Sequence, residues 1–254
     1  MKNNKALGQH WLKNRAILDE IADLAQEGLG EQTLCLEIGP GLGTLTSSLL
    51  RRFAQVIAIE YDEKLAVNLP KSFPGKNLQV VHGDILQTKI SELVGHNPYV
   101  AVGNIPYYIT SPIVRLLLAT QPAPQRIVLL MQKEVAERIA AEPGKHSLLS
   151  LFVQNQATVE LGPVVKAEEF TPPPKVDSQV IILTPLDELQ IPAVALALAS
   201  RGFANPRKKL SANLADAEHS KTEWEAILQK CSINPAARAQ DLDLWDWQEL
   251  NRFY

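Results

Sequence analysis

Two cysteines, Cys35 and Cys231, are all that the 254-residue chain contains. They lie far apart, and Cys35 sits inside an apolar run. A disulfide framework and a zinc site are therefore not supported, and two reduced packing cysteines are expected. Surplus positive charge is missing as well: 25 Lys and Arg against 28 Asp and Glu leave a net charge of -3. Composition does not announce a nucleic-acid binder, so any such contact must come from a local basic patch. No apolar run reaches the roughly 18 residues needed to span a bilayer. Met1 to Lys13 carries Lys2, Lys5 and Lys13 but no apolar segment of signal-peptide type. A soluble, cytoplasmic protein with no membrane partner and no metal is expected. Internal repeats and low-complexity segments are absent too. What is present is 46% hydrophobic and 21% charged residues, which suits a chain that buries a sizeable core. The length fits one large domain, or a large one with a small one.

Short apolar runs alternate with amphipathic stretches over the first two hundred residues, the pattern of an α/β fold with a parallel sheet. Asn14 to Gly28 reads as a helix, with Ile17, Leu18, Ile21, Leu24 and Ala25 on one face and Gly28 as its stop. Strands are expected at Thr33–Ile38, Gln55–Glu60, Leu78–His82, Tyr99–Gly103 and Arg126–Met131. Helices fall between them, one capped by Asp62 and ended by Pro70, another over Ile109–Ala119 with Pro112 in its first turn, where proline is tolerated. An apolar helix over Ser147–Asn155 and two late strands, about Thr158–Val165 and Ser178–Thr184, follow. Beyond Pro185 the texture becomes helix-like, first alanine-rich, then basic, then acidic and tryptophan-rich. A domain boundary is expected near Asp187.

Glycine and polar residues recur where the first four strands end, the place where open α/β sheets bind ligands. Gly39, Gly41 and Gly43 let the backbone turn tightly and approach a ligand. Glu60 closes the second strand, and a carboxylate there can accept both hydroxyls of a ribose. Asp84 closes the third and can accept a hydrogen bond from an adenine amino group. A dinucleotide-binding dehydrogenase would share such a loop and acid, but its glycine spacing is Gly-x-Gly-x-x-Gly, and here a helix precedes the first strand. An adenosine-containing ligand without a phosphate fits the pair of acids, and S-adenosylmethionine is such a ligand.

Asn104-Ile105-Pro106-Tyr107, at the end of the fourth strand, is the sharpest signal. The exocyclic amine of a purine is a poor nucleophile because its lone pair is delocalised into the ring. A catalyst must accept its two hydrogens and hold the nitrogen in line with a methyl donor. The side-chain oxygen of Asn104 and the carbonyl of Pro106 can be those acceptors. Pro106 contributes no N–H to compete, and Tyr107 offers a face for an extruded base. The rate gain then comes mainly from orientation.

These residues resemble the KsgA-type family of ribosomal RNA small-subunit adenine N6,N6-dimethyltransferases. Leu7-Gly8-Gln9-His10-Trp11-Leu12 is similar to the family's N-terminal motif. Leu36-Glu37-Ile38-Gly39-Pro40-Gly41-Leu42-Gly43 is similar to its cofactor loop. Gly83-Asp84-Ile85-Leu86, Gly103-Asn104-Ile105-Pro106-Tyr107, Met131-Gln132-Lys133-Glu134-Val135-Ala136 and Phe170-Thr171-Pro172-Pro173-Pro174-Lys175-Val176-Asp177-Ser178 complete the set. The resemblance implies a Rossmann-like class I methyltransferase domain with a seven-stranded, mostly parallel sheet over residues 1–187. A small all-α domain that binds RNA or the ribosome is implied over residues 188–254. It implies S-adenosyl-L-methionine as cofactor, held by His10 and Leu12 at its methionine part, largely through backbone, and by Gly39, Gly41, Glu60, Asp84, Ile85 and Asn104 elsewhere. Asn104, Pro106 and Tyr107 would act on the base, with Phe170 as a second stacking face. The implied product is dimethyladenosine at two adjacent adenosines near the 3′ end of 16S-type rRNA in the small ribosomal subunit, made by a monomer. The basic cluster Arg201, Arg207, Lys208 and Lys209 is read as RNA-binding, although Pro206 stands where the family commonly has arginine. Trp245 and Trp247 are expected in the core of the small domain. The alternatives are a large-subunit rRNA adenine methyltransferase of macrolide-resistance type, a non-catalytic ribosome-assembly factor, and a nicotinamide-dependent oxidoreductase.

Overall fold

The computed structural model describes residues 10–254. Leu7, Gly8 and Gln9 of the N-terminal motif lie outside the described residues. The chain divides into two compact units, one taking the chain up to Ala136 together with Thr158–Pro185, the other taking Glu137–Ala157 and Leu186–Tyr254. The single boundary expected near Asp187 leaves residues 137–157 in the first domain. The structure packs them with the second, because the apolar face of that stretch finds its partners there. Leu151 shares a core with Ile191, Leu198 and Trp224.

The elements run β1 (Trp11–Leu12), α1 (Arg15–Gln26), β2 (Leu34–Ile38), α2 (Thr44–Leu49), β3 (Val56–Glu60), α3 (Glu63–Asn68), β4 (Leu78–His82), α4 (Ile90–Val94), β5 (Tyr99–Asn104), α5 (Thr110–Ala119) and β6 (Arg126–Gln132). Then come α6 (Lys133–Ile139), α7 (Leu148–Gln154), β7 (Ala157–Val165), β8 (Phe170–Thr171) and β9 (Ser178–Pro185). Helix α1 starts where the Asn14 side chain accepts the backbone N–H groups of Ala16 and Ile17, the usual N-cap arrangement. Gly28 follows its end with φ +71°. Leu18, Ile21 and Ala25 of α1 enter one core with Val100, Val102, Val128 and Leu130 of the sheet.

Seven strands form one sheet in the order β4-β3-β2-β5-β6-β9-β7. β2, β3, β4, β5 and β6 pair in parallel, and β9 runs antiparallel to β6. Every residue of β2 and β3 is buried, as expected of parallel strands covered on both faces. The order reverses between β2 and β5, since β3 and β4 lie to one side of β2 and β5 and β6 to the other. That switch point opens a crevice at the carboxyl ends of the strands. A second, two-stranded sheet pairs β1 with β8 antiparallel, Trp11 opposite Thr171 and Leu12 opposite Phe170.

The second unit is helical. Besides α7 it contains α8 (Ala193–Gly202), α9 (Leu210–Leu214), α10 (Lys221–Lys230) and α11 (Leu244–Leu250). Reciprocal caps start two of them, Ser220 with Glu223 and Asp243 with Asp246, each satisfying two backbone donors. Trp224 and Trp247 are fully buried, whereas Trp245 is 56% exposed. Residues two apart on a helix face nearly opposite ways, so only one of the two C-terminal tryptophans reaches the core.

Candidate active site

A cavity of about 330 Å³ opens across the carboxyl ends of β2, β3, β4 and β5. The glycine loop after β2 forms one wall. Gly39, Gly41 and Gly43 have φ +65°, +56° and +80°, all left-handed values that glycine adopts without penalty. Gly43 has a second reason: a Cβ there would lie 2.6 Å from Leu69 Cδ1 and 2.9 Å from Phe73 Cε2. At Gly41 a Cβ would meet the Trp11 indole at 3.1 Å, so the residue before Leu12 packs against the loop.

Glu60, at the end of β3, is 6% exposed. Its Oε2 accepts the Gly41 N–H at 2.9 Å and its Oε1 the Asp62 N–H at 2.8 Å. Burial pushes its pKa up, and these backbone bonds pull against that. Each oxygen keeps a further lone pair for a ligand hydroxyl. Asp84 follows β4 and lines the same cavity, with Oδ1 accepting the Leu86 N–H at 2.9 Å. Ile85 is buried behind it and also lines the wall.

Asn104 ends β5. Its Nδ2 donates to the His10 carbonyl at 3.0 Å. A carbonyl only accepts, so this bond fixes which way the amide faces and leaves Oδ1 as the acceptor. Pro106 lines the cavity, and its carbonyl accepts the Ile109 N–H at 3.2 Å, which occupies one of its two lone pairs. The Tyr107 hydroxyl is 2.8 Å from Ser178 Oγ, and burial lifts its pKa above the ordinary tyrosine value. The ring of His10 stacks on that of Tyr107, with centroids 5.9 Å apart and planes 17° from parallel.

The side chains of Phe170 and Leu12 lie away from the cavity; the contact expected of Leu12 is largely through backbone, so only the stacking face expected of Phe170 is at odds with this. Phe170 is 2% exposed and Leu12 is equally buried. Both side chains enter the sheet core and neither is on the cavity wall. Antiparallel pairing of β1 with β8 sets Leu12 and Phe170 opposite each other, and their apolar side chains turn inward together. Trp11, the neighbour of Leu12, faces the cavity instead. Tyr108 is an aromatic on the wall that the sequence pattern did not single out, 63% exposed.

Glu37 was also missed as an individual residue. It lies in β2 and is 1% exposed, yet it lines the cavity. Its Oε2 has no hydrogen-bond partner. Burial, with the charge of Glu60 adding to it, raises its pKa to about 8. An acidic residue inside an otherwise apolar strand was the available signal. A buried acceptor without a donor is costly, and a bound cationic group would satisfy it. Among the described residues the wall holds Glu37, Glu60 and Asp84 but no Lys or Arg. Such a wall accepts hydroxyls, amines and cations, and its three carboxyl groups disfavour a pyrophosphate.

In the second unit, Arg201 has partners of its own. It donates to Asp216 Oδ2 at 2.7 Å and to the Leu214 carbonyl at 2.8 Å, and it lies over the Tyr254 ring at 4.9 Å. Its Nη2 donors and one face of the guanidinium are engaged within the second unit, so it also has a structural task there. Arg207, Lys208 and Lys209 are exposed, and no ion pair holds them among the described residues. Asn213 Nδ2 braces the loop that carries them, donating to the carbonyls of Gly202 and Asn205.

The sheet order, the crevice at its switch point and the carboxylate-lined wall define a Rossmann-like class I methyltransferase. Within that class the family is specific. The model of the ribosomal RNA adenine dimethylase family matches residues 1–253, and the chain belongs to this family. It is 38% identical to a protein of Dehalococcoides mccartyi named ribosomal RNA small subunit methyltransferase A, over 98% of this chain and 88% of that one. Among solved structures it is similar to a dimethyladenosine transferase from Plasmodium falciparum, with TM-score 0.78, 28% identity and coverage of 94% and 95% of the two chains. It is similar in the same degree to the 23S rRNA methyltransferase ErmE, with TM-score 0.77, 28% identity and coverage of 95% and 98%.

Proposed function

We propose that the protein transfers methyl groups from S-adenosylmethionine to the N6 amines of two adjacent adenosines near the 3′ end of small-subunit ribosomal RNA, giving N6,N6-dimethyladenosine. The observation that carries this reading is Asn104, held by its own amide N–H so that Oδ1 faces outward as an acceptor beside a cavity walled by acids. Bound there, S-adenosylmethionine supplies an electrophilic methyl on a sulfonium. Glu60 would accept the ribose hydroxyls, Asp84 the adenine amine and Glu37 the ammonium group. Asn104 Oδ1 and the second lone pair of the Pro106 carbonyl would accept hydrogen bonds from the two N–H groups of the target amine and point its nitrogen at the methyl, and the proton that the alkylated nitrogen sheds would pass to water. After one transfer a single hydrogen remains, and either acceptor can hold it, so a second transfer uses the same geometry. Tyr107 supports the base. Arg207, Lys208 and Lys209 would contact phosphates. The reading places the protein in the cytoplasm, on the small ribosomal subunit; among the described residues no helix is long and apolar enough to cross a membrane.

Structural likeness does not separate small-subunit from large-subunit targets, because the two solved neighbours score alike. Sequence likeness to a small-subunit enzyme over nearly the whole chain favours the first. The three carboxyl groups of the wall support S-adenosylmethionine, a cation, over a nicotinamide dinucleotide with its anionic pyrophosphate. The experiment is transfer of labelled methyl from S-adenosylmethionine to small subunits lacking the modification, with large subunits in parallel, followed by nucleoside analysis. Label as dimethyladenosine from small subunits alone is expected. Label from large-subunit RNA would overturn the assignment of substrate, and no label from either would overturn the enzymatic reading.

A further inference from the structure

We infer that the imidazole of His10 is a positioning residue for the acceptor loop, holding Tyr107 and Asn104 in the arrangement that receives the target amine. This rests on the methyl-transfer reading above. The resemblance gives His10 a cofactor contact made largely by backbone; the geometry gives its side chain a separate task.

His10 is attached at three points. Its carbonyl accepts Asn104 Nδ2 at 3.0 Å. Its ring Nδ1 lies 2.7 Å from the Pro172 carbonyl. A carbonyl has no proton to give, so Nδ1 carries the hydrogen and the bond fixes the plane of the ring. That plane lies nearly parallel to the Tyr107 ring in an offset stack, with centroids 5.9 Å apart. Tyr107 is tied at its far end to Ser178 Oγ, and Ser178 is fully buried at the start of β9, opposite Gln132 of β6.

The consequence is a closed frame. The acceptor loop leaves β5 with nothing of its own to fix the two side chains it presents. Asn104 is oriented by the backbone of His10, and Tyr107 is gripped between the His10 ring and Ser178. His10 in turn is fixed by Pro172, one residue beyond β8, and by the pairing of β1 with β8. Because transfer depends on placing the amine in line with the methyl, a displacement of about 1 Å can cost on the order of 100-fold in rate. The His10 ring acts through Tyr107, so its loss should appear in turnover more than in cofactor affinity.

The test compares wild type, His10→Ala and His10→Phe in the full chain. Three quantities are read: kcat for transfer to undermethylated small subunits, Kd for S-adenosylmethionine by calorimetry, and the titration of Tyr107 by NMR of ¹³Cζ-labelled tyrosine, assigned with Tyr107→Phe. In His10→Ala, kcat should fall at least tenfold, and by a larger factor than the cofactor Kd rises. The Tyr107 hydroxyl should titrate closer to the ordinary tyrosine range as its ring loosens. In His10→Phe the stacking face returns without the Pro172 bond, and part of the lost rate should return with it. The inference is overturned if His10→Ala keeps kcat within twofold with Tyr107 unmoved, or if Kd rises by the factor that kcat falls. Should wild type methylate neither subunit, the functional reading falls, and the Tyr107 titration still decides whether His10 holds that ring.

Discussion

Replacing Glu37 by glutamine should make the protein less sensitive to alkali, and the size of the effect follows from where the carboxyl sits. Glu37 is fully buried in β2, and its pKa is raised from 4.5 to about 8. In the unfolded chain it ionises near the ordinary value. Between those two values the folded state holds a proton that the unfolded state has released, so stability falls as pH rises. Each pH unit across that interval costs the wild type about 1.4 kcal/mol. The accumulated cost by pH 8 is roughly 4 to 5 kcal/mol if the full interval applies. Glutamine is nearly isosteric and does not titrate. The two proteins should therefore be close in stability at pH 5 and diverge up to pH 8, glutamine being the more stable. The assay is urea unfolding of both proteins at half-unit steps from pH 5 to pH 9. Parallel curves would refute the reasoning, because they would mean that Glu37 ionises at its ordinary value despite its burial. A second readout concerns the cofactor. If the ammonium group of S-adenosylmethionine pairs with Glu37, binding near pH 6.5 should release close to one proton, seen as calorimetric heats that depend on the buffer's ionisation enthalpy. The glutamine variant should show no such release.

The remaining predictions are more local. Neutralising Arg207, Lys208 and Lys209 together should weaken association with the small subunit and make it less dependent on salt. The slope of log affinity against log salt should shrink by about 0.7 to 0.9 for each phosphate no longer neutralised; an unchanged slope in a binding titration would remove the loop from the interface. Phe170→Ala should cost about 3 to 5 kcal/mol of stability by opening a core cavity, with cofactor affinity and turnover of the folded fraction nearly preserved. Unfolding curves and kinetics check this, and a selective loss of turnover at unchanged stability would put the ring back at the base.

Much of the first unit was legible locally. β2, β3 and β5 are apolar runs, and fully buried parallel strands require such runs. Glu60 stood out in the sequence because a carboxylate closing an apolar strand is unusual, and the structure puts it on the cavity wall, where it also braces the glycine loop through Gly41. The Asn104-Ile105-Pro106-Tyr107 loop was legible because few chemistries need an amide, a proline carbonyl and an aromatic in that order. Residues 137–157 were not assignable in the same way: an amphipathic stretch carries an apolar face but no label for the surface it will cover.

What the sequence determined by itself was therefore the seven strands of the large sheet, the glycine loop, the acids at the strand ends and the loop after β5, all of which depend on residues near one another in the chain. What only the tertiary structure decided depends on partners far apart in sequence. The pairing of Trp11–Leu12 with Phe170–Thr171 brings His10 to Asn104 and Tyr107 and turns Phe170 into the core. The fold of the second unit brings Asp216 to Arg201 and pairs that cation within the unit. In an extended or helical segment the backbone fixes which way side chains alternate, but not which other segment lies opposite. Register and packing supply that second choice, and they exist only once the chain has folded.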